Sequence, residues 1–221
     1  MTNSRKIGGL VHLTAEDVAY WYLRLNGFLL LRNFLVHGDR RGDTRTEIDI
    51  LGVRFPHRQE HLANPMSDDD WIGNNPLKTL VVFCDAKASD RDFNDAWFHE
   101  DRKVMESFLS LVGASPESAR PAIASQLYKC GRASDGDTLY LNLLLNSDPE
   151  RRVAMRWPQA QGVQIKDALT FIFKRFSAYK GIKLDHGQWN LAGHSLWDEV
   201  AVSRTSEEFA LGVMRKIGAK F

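Results

Sequence analysis

Charge of one sign is missing from this chain. Its 29 lysines and arginines face 28 aspartates and glutamates, a net of +1. Overall charge therefore marks neither a nucleic-acid binder nor an acidic, solvating tail. Cysteine is scarce: only Cys84, in an apolar run, and Cys130, near a helix end, are present. That excludes a disulfide framework and suits a reduced interior. No apolar run approaches the length that crosses a membrane. Met1 to Lys6 is polar and lacks the apolar centre of a signal peptide, so the expected location is the cytoplasm, away from membranes. Ile7-Gly8-Gly9 is too short for a glycine-rich phosphate loop. No repeat, low-complexity tract or Pro/Gly-rich linker breaks the chain. What remains is 221 residues, 43% hydrophobic and 26% charged, enough for one domain with a substantial core.

The apolar periodicity alternates between helix and strand. Thr14 reads as an N-cap with Asp17 three residues on, and Gly27 closes that helix. Strands follow at 28–34, 46–53 and 80–87, the last two separated by a long polar connection carrying Pro56, Pro65, Pro76 and Asp68-Asp69-Asp70. Helices are expected around Asp95 to Val112 and Glu117 to Cys130, and a fourth strand from Leu139 to Asn146. An amphipathic helix covers Ile165 to Tyr179, and helical signals recur near Ser195 to Val202 and Ser206 to Ile217. The expected fold is α/β, a central mixed sheet of four or five strands with helices on both faces. Its order is α-β-β-β-α-α-β followed by helical additions. Residues 1–187 are read as one domain and 188–221 as a helical extension packed on it.

Two of these strands carry chemistry. In Thr46-Glu47-Ile48-Asp49-Ile50-Leu51-Gly52-Val53, alternation puts Glu47 and Asp49 on one face and Ile48 and Ile50 on the other. In Leu80-Val81-Val82-Phe83-Cys84-Asp85-Ala86-Lys87, Asp85 and Lys87 share a face. If the strands pair, two carboxylates and an ammonium converge on one spot of the sheet. A hard divalent cation binds such a cluster through carboxylate oxygens, beside a lysine able to act on water or phosphate. The bare acid-x-Lys pattern arises by chance roughly once or twice in a chain this long. Asp101-Arg102-Lys103 is such a copy, set in a charged helix-like segment. Only the Asp85 copy follows an apolar strand downstream of a matching Asp49 strand.

These residues, with the helix from Thr14 to Gly27 and the strand from Phe28 to Phe34, resemble the PD-(D/E)XK nuclease superfamily over about Thr14 to Lys87. The likeness is to its resolvase-like and restriction-endonuclease-like branches. The third-strand acid here is Asp, where many relatives have Glu. The resemblance implies an active centre of Glu16, Asp49, Asp85 and Lys87. Asp49, Asp85 and the backbone carbonyl of Ala86 would hold Mg²⁺ or Mn²⁺. Glu16 would orient the attacking water or bind metal, as a second ion, and Lys87 would position or help deprotonate that water and stabilise developing charge. The implied activity is hydrolysis of DNA phosphodiester bonds, in repair or phage defence. The alternative is a catalytically silent nucleic-acid-binding or structural subunit of a larger assembly. DNA is the expected partner, and a protein partner or a second copy of the chain stays open.

Each residue also has a plainer reading. Glu16 sits where an acid complements the helix dipole. Asp49 and Asp85, costly in apolar strands unless paired or metal-bound, admit a structural ion pair with Lys87. Gln126 matches a helical glutamine some relatives place near the scissile phosphate, but a surface amide is the simpler account. His57-Arg58-Gln59-Glu60-His61 matches a zinc-protease pattern, yet that chemistry needs a helix, and the match lies between Pro56 and Pro65. Arg151 to Lys183 holds eight basic residues against the single Asp167, with Trp157, Phe171, Phe173, Phe176 and Tyr179 interleaved. Lys166, Lys174, Arg175, Lys180 and Lys183 are the expected phosphate contacts. A solvated helix face over core aromatics is the competing reading.

Overall fold

Leu80-Val81-Val82-Phe83 has no polar side to show water, and in a computed structural model of the chain it forms a central strand covered on both faces. The structure describes residues 12–37, 44–59, 65–180 and 190–219. The fold is α/β, with a six-stranded mixed sheet: β1 (Leu29–His37), β2 (Thr44–Arg54), β3 (Thr79–Ala86), β4 (Arg132–Asp135), β5 (Thr138–Asn146) and β6 (Gln161–Gln164). The main path is β1-β2-β3-β5-β4. β1–β2, β2–β3 and β4–β5 are antiparallel, while β3–β5 and β5–β6 are parallel. Sequence patterning misses β4 and β6, which explains the larger strand count. Each is four residues long, and they pair with successive halves of β5, Thr138–Leu141 and Leu143–Asn146. Segments that short carry too few alternations to be read.

Helices cover both faces. α1 (Ala15–Leu25), α6 (Ile165–Ala178), α7 (Leu191–Val202) and α8 (Ser206–Lys216) pack on one, sharing a core with Ile50, Leu80, Val82, Cys84, Leu141 and Leu143. α3 (Val104–Val112) and α4 (Arg120–Cys130) cover the other, with Trp97, Phe108, Trp157, Val81, Phe83 and Tyr140. Helix α2 (Asp70–Gly73) is a single turn in the β2–β3 connection, and α5 (Pro149–Arg156) precedes β6. α7 approaches α1 closely at Gly193, where a Cβ would overlap the Trp21 ring. Among the described residues no helix is long and apolar enough to cross a membrane.

The helix expected around Asp95 to Val112 is shorter. Asp95–Phe98 and Glu100–Arg102 are 3₁₀ turns, and α3 begins only after Lys103 takes a left-handed φ of +51°. The chance motif Asp101-Arg102-Lys103 therefore lies in a surface turn, remote in character from a strand end.

Candidate functional site

Thr14 closes the N-terminus of α1 with a reciprocal capping box. Its Oγ1 accepts the Asp17 N–H at 3.2 Å, and Asp17 Oδ2 accepts the Thr14 N–H at 3.0 Å. That capped end faces the point where the central ladder opens. The β1–β2 register runs from Arg32↔Ile50 to Phe34↔Ile48, and β2–β3 pairing stops at Ile50↔Cys84. Asp49 thus interrupts the ladder on both sides. In line with it on β1, Asn33 adopts a left-handed φ of +50°. Ile48 then packs with Trp97 and Phe83, while Ile50 packs with α1. The expectation that Ile48 and Ile50 share a face, opposite Glu47 and Asp49, is corrected here. The irregularity around Asn33 and Asp49 reverses the alternation, as bulges and left-handed residues do in strands. Glu47 is exposed, and its carbonyl accepts the Trp97 indole N–H at 3.2 Å.

Freed from the ladder, the side chain of Asp49 replaces it. Its Oδ2 accepts the Ala86 backbone N–H at 2.8 Å. Asp85, one residue earlier on β3, accepts the Asn94 backbone N–H through Oδ2 at 2.5 Å. Its Oδ1 lies 2.5 Å from the Lys87 ammonium, which is also 3.7 Å from Asp49 Oδ2. Asp85 is 1% exposed and Asp49 6%, whereas 30% of the Lys87 side chain reaches solvent. The structure brings Asp49, Asp85 and Lys87 together at the carboxyl end of β3, where parallel strands of α/β sheets commonly present ligand sites.

Electrostatics tie Glu16 to the same place. Burial, opposed by Lys87 and reinforced by Asp49, pushes the Asp85 carboxyl up to about 7. For half-buried Glu16, burial and then the charge of Asp49 raise the pKa, against the nearby Arg32 guanidinium. Burial alone would lower the pKa of Lys87, but Asp85, Asp49 and Glu16 outweigh it and hold the ammonium charged. Asp49 and Asp85 meet the lysine directly, and Glu16 adds its charge from α1.

Several supporting residues escape the sequence reading. Asn94 Oδ1 accepts the Ala96 N–H at 3.1 Å and its Nδ2 donates to Thr46 Oγ1 at 3.3 Å, fixing the loop whose N–H holds Asp85. An asparagine before a short helix is a capping signal, but nothing local says which acid that turn serves. Arg32, a charge inside an apolar strand, is visible as a residue in need of a partner; Asp17 Oδ1 accepts from it at 2.8 Å.

Four of the seven described basic residues in this segment pair with distant acids. Arg152 pairs with Asp90 at 3.3 Å, Arg156 with Asp92 at 3.1 Å and Lys166 with Glu207 at 3.7 Å. Arg175, expected on a phosphate backbone, is corrected to a core residue. It is fully buried, 3.2 Å from both the Ser67 carbonyl and Asp68 Oδ1, with its guanidinium 5.1 Å from the centre of the Phe171 ring. The helical stripe that meets the sheet includes position 175, and Asp68 compensates the charge there. Lys174 and Lys180 are exposed. They flank Arg175, whose partner Asp68 also pairs with Arg54. Arg54 faces Leu80 at the start of β3, the end away from Asp85. Lys183 lies outside the described residues, as do Glu60 and His61 of the zinc-protease pattern. Gln126 is exposed on α4.

Among the described residues, no group of three or more His, Cys, Asp or Glu side chains comes together as a metal cage. The oxygen-only donors of Asp49 and Asp85 nonetheless fit a hard divalent cation in kind. The ammonium of Lys87 spans these two carboxylates and stands in for positive charge between them. Comparisons with known proteins find no matching family model, no matching curated protein and no matching solved structure.

Proposed function

We propose that this chain is a Mg²⁺- or Mn²⁺-dependent deoxyribonuclease of the PD-(D/E)XK type. One observation carries the reading: two buried carboxylates, Asp49 and Asp85, meet under the Lys87 ammonium where the β2–β3 ladder opens. Such a site is expensive for stability alone, because replacing buried charges by apolar side chains is often neutral or favourable. A cluster of this kind at a strand end is better accounted for by chemistry.

Asp49, Asp85 and the Ala86 carbonyl would hold the ion, which when bound polarises a phosphoryl oxygen and acidifies a water. Lys87, kept charged by its acidic neighbours, stabilises the negative charge that develops on phosphoryl oxygens. Glu16, with its raised proton affinity, receives a hydrogen bond from the attacking water and sets its direction. Asp49 also acts structurally, because its hold on the Ala86 N–H fixes the end of β3 on which Asp85 and Lys87 stand.

The same Lys87 pairing supports one other reading, a silent DNA-binding or assembly subunit whose acids are neutralised within the chain. Incubation of plasmid, short duplex, single-stranded DNA and RNA with Mg²⁺, Mn²⁺ or EDTA separates the two. The nuclease reading expects metal-dependent cutting of DNA by the wild type, lost in folded Asp49→Asn and Asp85→Asn. DNA binding without cutting in either metal moves the assignment to the silent reading. Equal cutting by wild type and Asp85→Asn removes this site from the chemistry.

A further inference from the structure

With the α5–α6 lysines and arginines mostly paired or remote from Asp85, the nuclease reading needs another surface to hold a substrate strand. The outer face of α1 supplies one. Glu16, Tyr20 and Arg24 follow at intervals of four, so they lie along one helical face over about 12 Å. Glu16 stands in the first turn of α1, where Asp17 pairs with Arg32 and Arg32 lies opposite Ile50, the residue after Asp49, and the face leads away from that end. Arg32 of β1 lies against the same face, its guanidinium 5.4 Å from the centre of the Tyr20 ring. Arg24 lies on Tyr20 as well, 5.9 Å from that centre and 5.2 Å from the Trp21 ring, and donates to the Tyr20 hydroxyl at 2.8 Å.

The two guanidiniums are held ready rather than consumed. Arg32 is fixed by Asp17, whose other oxygen is tied into the capping box of α1. Among the described residues that leaves several of its five N–H donors unassigned, and 31% of its side chain meets solvent. Arg24 is half-buried and, among the described residues, contacts no carboxylate. Stacking on Tyr20 and Trp21 holds its planar head in place without cancelling its charge. An arginine fixed by aromatic rings loses little side-chain entropy when it meets a phosphate, and its fork suits two phosphoryl oxygens.

We infer that the outer face of α1 is a phosphate track, on which Arg24 and Arg32 hold the backbone of the nucleic acid whose scissile bond lies at Glu16, Asp49 and Asp85. The inference rests on the nuclease reading and names how that site holds its substrate. It gives affinity without base preference, since contacts of this kind position a backbone and read no sequence.

The test measures anisotropy of fluorescein-labelled duplex and single-stranded DNA against salt, with the full-length chain carrying Asp85→Asn so that nothing is cut. Adding Arg24→Gln should weaken binding several-fold at low salt. It should also reduce the slope of log affinity against log salt by roughly 0.7–0.9. Arg24→Lys should keep most of the slope, and Lys174→Gln, on α6, should leave it unchanged. In a cutting-competent chain, Arg24→Gln should raise KM with kcat retained. An unchanged slope in folded Arg24→Gln, while the wild type still binds and cuts DNA, overturns the track and leaves the nuclease reading standing. Neither binding nor cutting of any nucleic acid by the wild type overturns both. A slope carried by Lys174 instead would return the substrate to α6 and overturn the inference.

Discussion

Asp49 accepts the backbone N–H of Ala86 at 2.8 Å, so an acid on one strand completes the ladder of its neighbour. This bond separates the structural role of Asp49 from its chemical one. Asp49→Asn keeps an oxygen for the Ala86 N–H, whereas Asp49→Ala leaves that buried donor without a partner. Unfolding in urea should show Asp49→Asn near wild type and Asp49→Ala less stable by about 1–3 kcal/mol. Both should fail to cut DNA. Equal stability of the two variants would mean that the Ala86 N–H finds another acceptor.

The Asp85 carboxyl, raised to about 7 by burial, makes the metal-free protein sensitive to pH. An unfolded Asp ionises near 3.9. The folded state therefore binds the proton more tightly, and stability due to this group falls as pH rises from about 4 to about 7. Asp85→Asn removes the titration while keeping an acceptor for the Asn94 N–H. In chelator, the variant should gain roughly 2–3 kcal/mol on the wild type between pH 5 and pH 8. Urea titrations at the two pH values measure this, and a gap that does not change with pH would place the Asp85 ionisation in the ordinary range.

How much of this is legible in the sequence depends on where each signal lies. Long periodic segments read well: the capped helix at Thr14, the strands at 80–87 and 139–146, and the helix at 165–179 emerge close to their observed bounds. Asp49, Asp85 and Lys87 are visible because charged residues stand out in apolar strands. The reversal of faces at Asp49 is not, since asparagine tolerates a left-handed φ better than most residues but does not by itself say that it will take one inside an apolar strand. Nor can counting charges within 151–183 foresee Asp68, Asp90, Asp92 and Glu207 as partners. Pairing at long range is decided by topology, and local composition carries no record of it.

Lys87 should divide turnover from binding. Its ammonium lies 2.5 Å from Asp85 and is held charged by that carboxylate and Asp49. Lys87→Ala should reduce kcat by roughly 10²–10³, the usual loss when one preorganised electrostatic contact to the transition state is removed. DNA affinity should change by less than threefold. Lys87→Arg retains the charge but not the compact ammonium, and should recover only part of the rate. Single-turnover kinetics with a labelled duplex measure these values. A loss confined to KM would make Lys87 a substrate-binding residue instead.

Arg175 and Lys174 are neighbours in sequence with opposite surroundings, and substitution should expose the difference. Arg175 is fully buried on Asp68 and Ser67, and its aromatic neighbour is Phe171. Arg175→Gln shortens the side chain and deletes a buried cation, so among the described residues the carboxylate of Asp68 keeps Arg54 and Arg58. Those two remaining cations moderate the penalty below that of a fully orphaned charge. The expected destabilisation in urea is about 2–4 kcal/mol. Lys174 is exposed, and Lys174→Gln should stay within about 0.5 kcal/mol of wild type. Neither change should alter the salt dependence of DNA binding in protein that remains folded, because Arg175 does not reach solvent and Lys174 lies toward the end of the sheet away from Asp85. A stable Arg175→Gln with a flattened salt slope would place this arginine on the nucleic acid after all.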